Sequence, residues 1–460
     1  MKTKTTKLRA GAAKRDICPQ VPMFLVGYPH VERTSTGVHD PIYASAFFLE
    51  NSTSAILTVA VDICYVMVET TRRCREAISK ATGVPVQNIF ISPTHTHSAP
   101  QTADILAWHA DPVVPLPDPS YMELFTRAIV DAAVAAKEAA VPARVAITRT
   151  EAHGVGRNRH SPDGPADHEV GLLYARRDDN GAPVALVLIY SMHPTVLHED
   201  SRLVSSDFPH YARVVIEEKF PGITVIYHNG TSGNQSPRYE VFGQTFAEAE
   251  RLGRSLGSAV VSAIKATREG DFLGDATVDA AHEFVMLPVR EFPSLPEAER
   301  QLAEARATYD RLRAAGAGHG PVRTQECVVF GKEFVVRILQ SGKFEEMLAR
   351  YSPVEVQVFR VANVFIAALP GELFVEFGLR IKARAPGRSF VVTMANSDLH
   401  GYIVTVEADA AGCYEAGFST FTPAAGELLG DTALRLMRRL SGSVGLDQPG
   451  RTPVPIWKPQ

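Results

Sequence analysis

Short apolar runs alternate along the chain with stretches whose apolar positions recur every three or four residues. The runs at 55–61, 89–92, 184–190, 224–227, 364–368 and 390–393 read as strands, several of them rich in Val and Ile. Their nearly unbroken hydrophobicity implies burial on both faces, so helices should cover the sheets. Thr245 with Glu248, and Ser294 with Glu297, read as capping boxes that open helices to about Ala266 and Ala314. Leu295, Ala298, Leu302, Ala305, Tyr309 and Leu312 share one face of the second of these. Helical spacing also covers about 121–138, 208–219, 373–385 and 424–440. The expected architecture is α/β in the broad sense, mixed α+β, with mixed β-sheets covered by helices. Residues 1–15 read as a disordered segment, 315–321 as a mobile surface loop, and 442–460 as an extended or fraying tail.

Five of the strands run directly into loops dense in His, Ser, Glu, Asn or Tyr. These are SPTHTHSAP with His95 and His97, SMHPTVLHED with His193 and His198, HNGTSGNQSPRY with Ser236, LPGELF with Glu372, and MANSDLHGY with Tyr402. Ligand sites of open α/β sheets lie beyond the carboxyl ends of strands, where such loops converge. His-x-His in an extended segment puts both rings on one side. Neutral imidazoles plus a carboxylate are a common zinc set, and His95, His193 and Glu372 would supply it. Each residue also has a plainer reading. Ser236 before Pro237 is a turn cap, Glu372 after Pro-Gly suits a helix N-terminus, and Asp207 before Phe208-Pro209 is an N-cap. Tyr402 and Tyr414 suit an amphipathic core, and Arg159 a solvated loop.

Charge and composition narrow the classes. With 47 basic and 51 acidic side chains among 460 residues, the net charge of −4 offers no cationic surface for nucleic acid. No run of 18 or more apolar residues marks an integral membrane segment. The basic start MKTKTTKLRAGAAKRD is not followed by the apolar stretch of a signal peptide. Five scattered cysteines without a CxxC argue against a disulfide framework or a thiolate zinc site. The expectation is a cytoplasmic protein with a small-molecule substrate, and a homo-oligomer is compatible with it.

Together the loops resemble the neutral/alkaline ceramidase family, zinc-dependent amidases that split N-acyl-sphingosine. The family's HTHSGPG is similar to His95-Thr96-His97-Ser98-Ala99-Pro100, and its NRSP to Asn158-Arg159-His160-Ser161-Pro162. HPT followed by LVSGD resembles His193-Pro194-Thr195 and Leu203-Val204-Ser205-Ser206-Asp207. GDVSPN resembles Gly233-Asn234-Gln235-Ser236-Pro237-Arg238, and PGE resembles Pro370-Gly371-Glu372. YVTT and YEG resemble Tyr402-Ile403-Val404-Thr405 and Tyr414-Glu415-Ala416-Gly417, the second tyrosine twelve positions after the first as in the family. TxGIH resembles Thr34-Ser35-Thr36-Gly37-Val38-His39.

The resemblance implies a catalytic domain with one Zn2+ per chain; it is expected here as one large domain over 16–441 and, in departure from the family, without a separate immunoglobulin-like module. The resemblance also implies His95, His193, Glu372 and Tyr402 as metal ligands, with His97, Arg159, Ser236 and Tyr414 lining the reacting centre. The chemistry implied is hydrolysis of a carbon-nitrogen amide bond by metal-activated water, with His97 shuttling the proton and Tyr414 and Arg159 stabilising the oxyanion. Asn234 and Arg238 stand where the family has Asp and Asn. They are read as substrate-binding positions that suit a polar or anionic group in a small soluble substrate. Esterase, lactonase or phosphoesterase activity, or a ligand-binding relative without turnover, are the other classes these loops would serve.

Overall fold

Three parallel strand pairs organise the computed structural model, which describes residues 7–28, 31–109, 111–399 and 401–442. Ala55–Val61 pairs with Ile89–Pro93, Pro183–Tyr190 with Thr224–Asn229, and Val364–Ala368 with Arg388–Val392. A parallel pair needs a crossover, usually a helix. Here the crossovers contain helices Val68–Thr82, Phe208–Lys219 and Val375–Arg384. The five motif loops leave the carboxyl ends of five of these six strands.

The first two pairs belong to one eight-stranded sheet. Its order is Thr224–Asn229, Pro183–Tyr190, Glu169–Arg177, Val141–Glu151, Arg9–Asp16, Tyr43–Glu50, Ala55–Val61 and Ile89–Pro93. The third pair belongs to a four-stranded sheet in the order Val278–Val285, Val354–Val361, Val364–Ala368 and Arg388–Val392. The sheets pack face to face through one core, in which Phe47, Phe90, Val145 and Val187 meet Phe359, Ile366 and Phe390. Helices Val68–Thr82 and Pro119–Glu138 cover one half of the large sheet's outer face, and Phe208–Lys219 and Phe246–Ala266 the other. Helices Val375–Arg384 and Ala424–Ser441 cover the small sheet.

Several expectations change. The segment expected to be disordered contains strand Arg9–Asp16, which pairs in full with Tyr43–Glu50 at the middle of the large sheet. Its Lys and Arg side chains lie where the strand needs no apolar contact, and small Ala10 and Gly11 face the core. The loop expected at 315–321 shrinks to a turn before helix His319–Ser341, which composition concealed. Pro321 sits in that helix's first turn, where its missing N–H costs nothing. Helix Val68–Thr82 was hidden by its Thr- and Arg-rich sequence. Of the two capping boxes, Thr245 Oγ1 does accept from the Glu248 amide at 3.3 Å, but the Glu248 carboxylate turns to the Phe242 amide instead. Ser294 makes no capping bond with its side chain. The tail beyond Gly442 lies outside the described residues.

Candidate metal centre and active site

The two sheets are stitched together where their loops begin. The Thr393 amide donates to Asn229 O, Met394 to Gly371 O and Asn396 to Ile91 O. Asn396 Oδ1 in turn accepts from the Ile91 amide at 3.0 Å. Met394 and Asn396 adopt positive φ of 52° and 62°, which turns the chain sharply enough to make these bonds. Loops from three strand pairs thereby meet over one point.

At that point His95 Nε2 and His193 Nε2 are 3.1 Å apart, and Glu372 Oε2 lies 3.2 and 3.3 Å from them. All three side chains are buried. His95 Nδ1 donates to Cys64 O at 2.8 Å, and His193 Nδ1 to Ser232 O at 2.7 Å. A carbonyl only accepts, so these bonds fix Nδ1 as the protonated nitrogen and turn both Nε2 atoms toward the carboxylate. Glu372 Oε2 has no hydrogen-bond partner of its own. Three electron-rich atoms this close repel unless a cation stands among them. Ligands of a tetrahedral zinc ion at its usual bond lengths lie about 3.3 Å apart, so the donor set fits zinc.

The electrostatics agree with the geometry. Burial would raise Glu372, but His95 and His193 outweigh it and hold the carboxyl well below its ordinary range. Burial pushes His193 down to about 4. Burial would lower His95 as well, but the Glu372 carboxylate prevails and lifts it well above the usual value.

His95 itself has φ of 70°, so the His-x-His segment is kinked at its first residue rather than extended. The rings still converge, with His97 Nε2 3.4 Å from His95 Nε2. Burial, then the neighbouring His95 and His193, push His97 well below its ordinary range. Gly27, at φ of 125°, makes room for this ring, since a Cβ there would stand 2.6 Å from it.

Tyr402 pairs with Glu372 in a two-residue parallel bridge, which sets the two side chains side by side. Burial, then the Glu372 carboxylate, raise the Tyr402 phenol well above its usual range. Arg159 lies 5.4 Å from the Tyr402 ring and 5.9 Å from that of Tyr414. Its guanidinium donates to Glu415 Oε1 at 2.6 Å and to Gly233 O at 2.7 Å. Ser236 Oγ accepts from the Arg238 amide at 3.3 Å, the turn-capping role. Asn234 is buried, donating to Glu376 Oε2 and accepting from the Val375 amide, both at 2.9 Å. That ties the loop to a helix. Arg238 is exposed beside the Tyr239 ring.

Three contributors escaped the sequence reading. Tyr65 donates to Glu372 Oε1 at 3.2 Å, and Cys64 supplies the carbonyl that orients His95. Both follow strand Ala55–Val61, the sixth parallel strand, whose DICY ending was the available signal. Arg33 is fully buried and donates to His97 O at 2.8 Å and Ser201 O at 2.9 Å. Beside Tyr65, Trp108 borders a cavity of about 270 Å³ whose apolar walls include Ile105, Val114, Pro115 and Leu116.

A sequence profile of the neutral/alkaline non-lysosomal ceramidase family, N-terminal part, matches residues 8–278. The chain belongs to that family. Relatives in this ceramidase family include the neutral ceramidase of Pseudomonas aeruginosa, 25% identical over 499 aligned residues that cover 94% of this chain and 72% of that protein. The neutral ceramidase of Drosophila pseudoobscura is 21% identical, with 97% and 76% covered. The crystal structure of the Pseudomonas aeruginosa neutral ceramidase superposes with a TM-score of 0.74 at 20% identity, covering 98% of this chain and 77% of that one. The fold expected from the sequence is thus the ceramidase fold. Among the described residues no helix is long and apolar enough to cross a membrane, and the five cysteines are free.

Proposed function

We propose that this protein is a zinc-dependent amidase that hydrolyses N-acyl compounds carrying an apolar acyl chain. The observation that carries the reading is the triangle of His95 Nε2, His193 Nε2 and Glu372 Oε2, no side longer than 3.3 Å, with both Nδ1 atoms already committed. A zinc ion held there, with Tyr402 as the fourth ligand, would polarise the amide carbonyl and lower the pKa of a water to about 7. His97 supplies the base: its imidazole is half-buried and neutral, beside the ligand cluster, and free to take a proton from the attacking water. The same nitrogen then protonates the leaving amine. Tyr414 presents a protonated phenol to the developing oxyanion, while Arg159, spent on Glu415 and Gly233, keeps both tyrosine rings in place.

The similarity to neutral ceramidases supports an amide as the scissile bond. The cavity beside Trp108 supports an acyl chain of modest length, since about 270 Å³ is at the small end of ligand pockets. A preference for anionic substrates, expected from Arg238 and Asn234, would rest on the exposed guanidinium of Arg238 beside the buried Asn234 amide. The test pairs metal analysis with turnover. The wild type should hydrolyse N-acyl amides and lose activity on chelation, with zinc restoring it. Glu372→Gln and His193→Ala should each lose one equivalent of zinc and at least 100-fold in kcat, on the order expected for a missing catalytic metal. Undiminished hydrolysis by both variants would refute the assignment.

A further inference from the structure

A second cluster of donors lies on the far side of Arg159. His160 Nε2 is 2.9 Å from Glu415 Oε2, and Cys413 Sγ lies within 4.8 Å of both. Glu415 is buried, Cys413 half-buried and His160 at the surface, so the cluster has a floor and an opening. Glu415 Oε2 has no hydrogen-bond partner despite the nearby imidazole. The ring nitrogen is within ion-pair range of that oxygen without forming a well-aligned hydrogen bond. Glu372 Oε2 shows the same signature among its histidines in the metal centre. His160 is also the residue that turns the family's NRSP into Asn158-Arg159-His160-Ser161-Pro162, so the cluster includes a departure from the pattern.

We propose that His160, Cys413 and Glu415 form a second divalent-metal site, with zinc as its ion and a solvent position as its fourth ligand. Imidazole, thiolate and carboxylate are a zinc donor set, and sulfur excludes magnesium and calcium. Burial, then Glu415, push the Cys413 thiol up to about 12. Binding therefore displaces the thiol proton to solvent as the metal–sulfur bond forms. Arg159 occupies only Oε1 of Glu415, which leaves Oε2 for the ion. The carboxylate then bridges the guanidinium and the metal, and the site clasps the loop bearing Arg159 to the segment bearing Tyr414. It is independent of the catalytic metal, to which none of its three residues contributes.

Cobalt distinguishes the two sites, because thiolate–cobalt charge transfer absorbs in the near ultraviolet and the catalytic ligands include no sulfur. Apo protein titrated with Co2+ should take up two equivalents and develop this band with one of them. Cys413→Ser should abolish the band and one equivalent, and His160→Ala should weaken that equivalent at least tenfold. Cys64→Ser, which removes the thiol near His95, should leave the band intact. Circular dichroism of each variant separates loss of ligand from loss of fold. A single equivalent with no thiolate band, or a band that vanishes with Cys64 rather than Cys413, would overturn the proposal.

Discussion

Asp207 starts helix Phe208–Lys219 with φ of 62°, a conformation that non-glycine residues seldom adopt. Its carboxylate accepts from the amides of Leu197 at 2.8 Å and Phe208 at 2.6 Å, holding the loop after His193 closed. Burial outweighs those bonds and pushes the group up from 3.8 to about 7. Between these values the folded protein holds a proton that the unfolded chain has released. Stability from this residue is therefore greatest below about pH 4, falls as pH rises, and is lost above pH 7, by a few kcal/mol at most. Asp207→Asn removes the titration at the cost of one accepted bond. Its melting temperature relative to wild type should rise from pH 4 to about pH 7 and then level off; a constant offset would show that Asp207 is not raised. Arg33 gives a second expectation. Replacing it with Met strands the carbonyls of His97 and Ser201 in the interior, at about 1–3 kcal/mol each. Thermal unfolding should report that loss, and Lys should not rescue it, because one ammonium cannot span both acceptors. Arg33 was illegible in the sequence because a buried arginine looks like any loop arginine until its acceptors, more than 60 positions away, are brought to it. His95, His193 and Glu372 were legible because each leaves an apolar strand directly.

Helix His319–Ser341 packs on the short helix Tyr414–Gly417 at a glycine pair. A Cβ on Gly331 would come within 3.0 Å of Gly417 Cα. Arg323 of the same helix bonds Glu199 in the His193 loop at 3.1 Å, and Arg337 bonds Asp111 at 3.3 Å. The helix is thus fastened to two further loops. Gly331→Val should push Tyr414 out of position, lowering kcat more than tenfold while zinc content and KM for short amides stay within twofold. Measuring zinc and kinetics on one preparation checks this, and parallel loss of metal would mean the disturbance reached Tyr402. The element was invisible to periodicity because Gly318, Gly320 and Pro321 open it with turn residues, and its half-buried face carries no clean apolar stripe. The loops on the parallel strands were visible, because continuous Val and Ile runs ending in polar chemistry need no knowledge of tertiary contacts.

At the scale of the whole molecule, the catalytic geometry depends on two sheets keeping their mutual orientation, and the large sheet depends on its middle strand. Arg9–Asp16 joins Tyr43–Glu50 on one side and Val141–Glu151 on the other. It carries Gly11 against helix Pro119–Glu138, where a Cβ would stand 2.1 Å from Ala136 O. The sequence hid this strand behind a basic N-terminus, of which Arg9 and Arg15 are exposed and Lys14 half-buried. A central strand cannot be lost as an edge strand can, because the amides and carbonyls of both neighbours would be left unpaired at once. Deleting residues 1–17 should therefore give insoluble or molten protein, with near-ultraviolet circular dichroism lost and no zinc retained. Deleting residues 1–6 alone should leave melting temperature and zinc content unchanged within error. If the longer deletion stays folded and active, the strand is peripheral and the large sheet closes without it. If Gly11→Val in the full-length chain unfolds the protein while the short deletion does not, the close packing of strand on helix is what fixes the sheet beneath the metal centre.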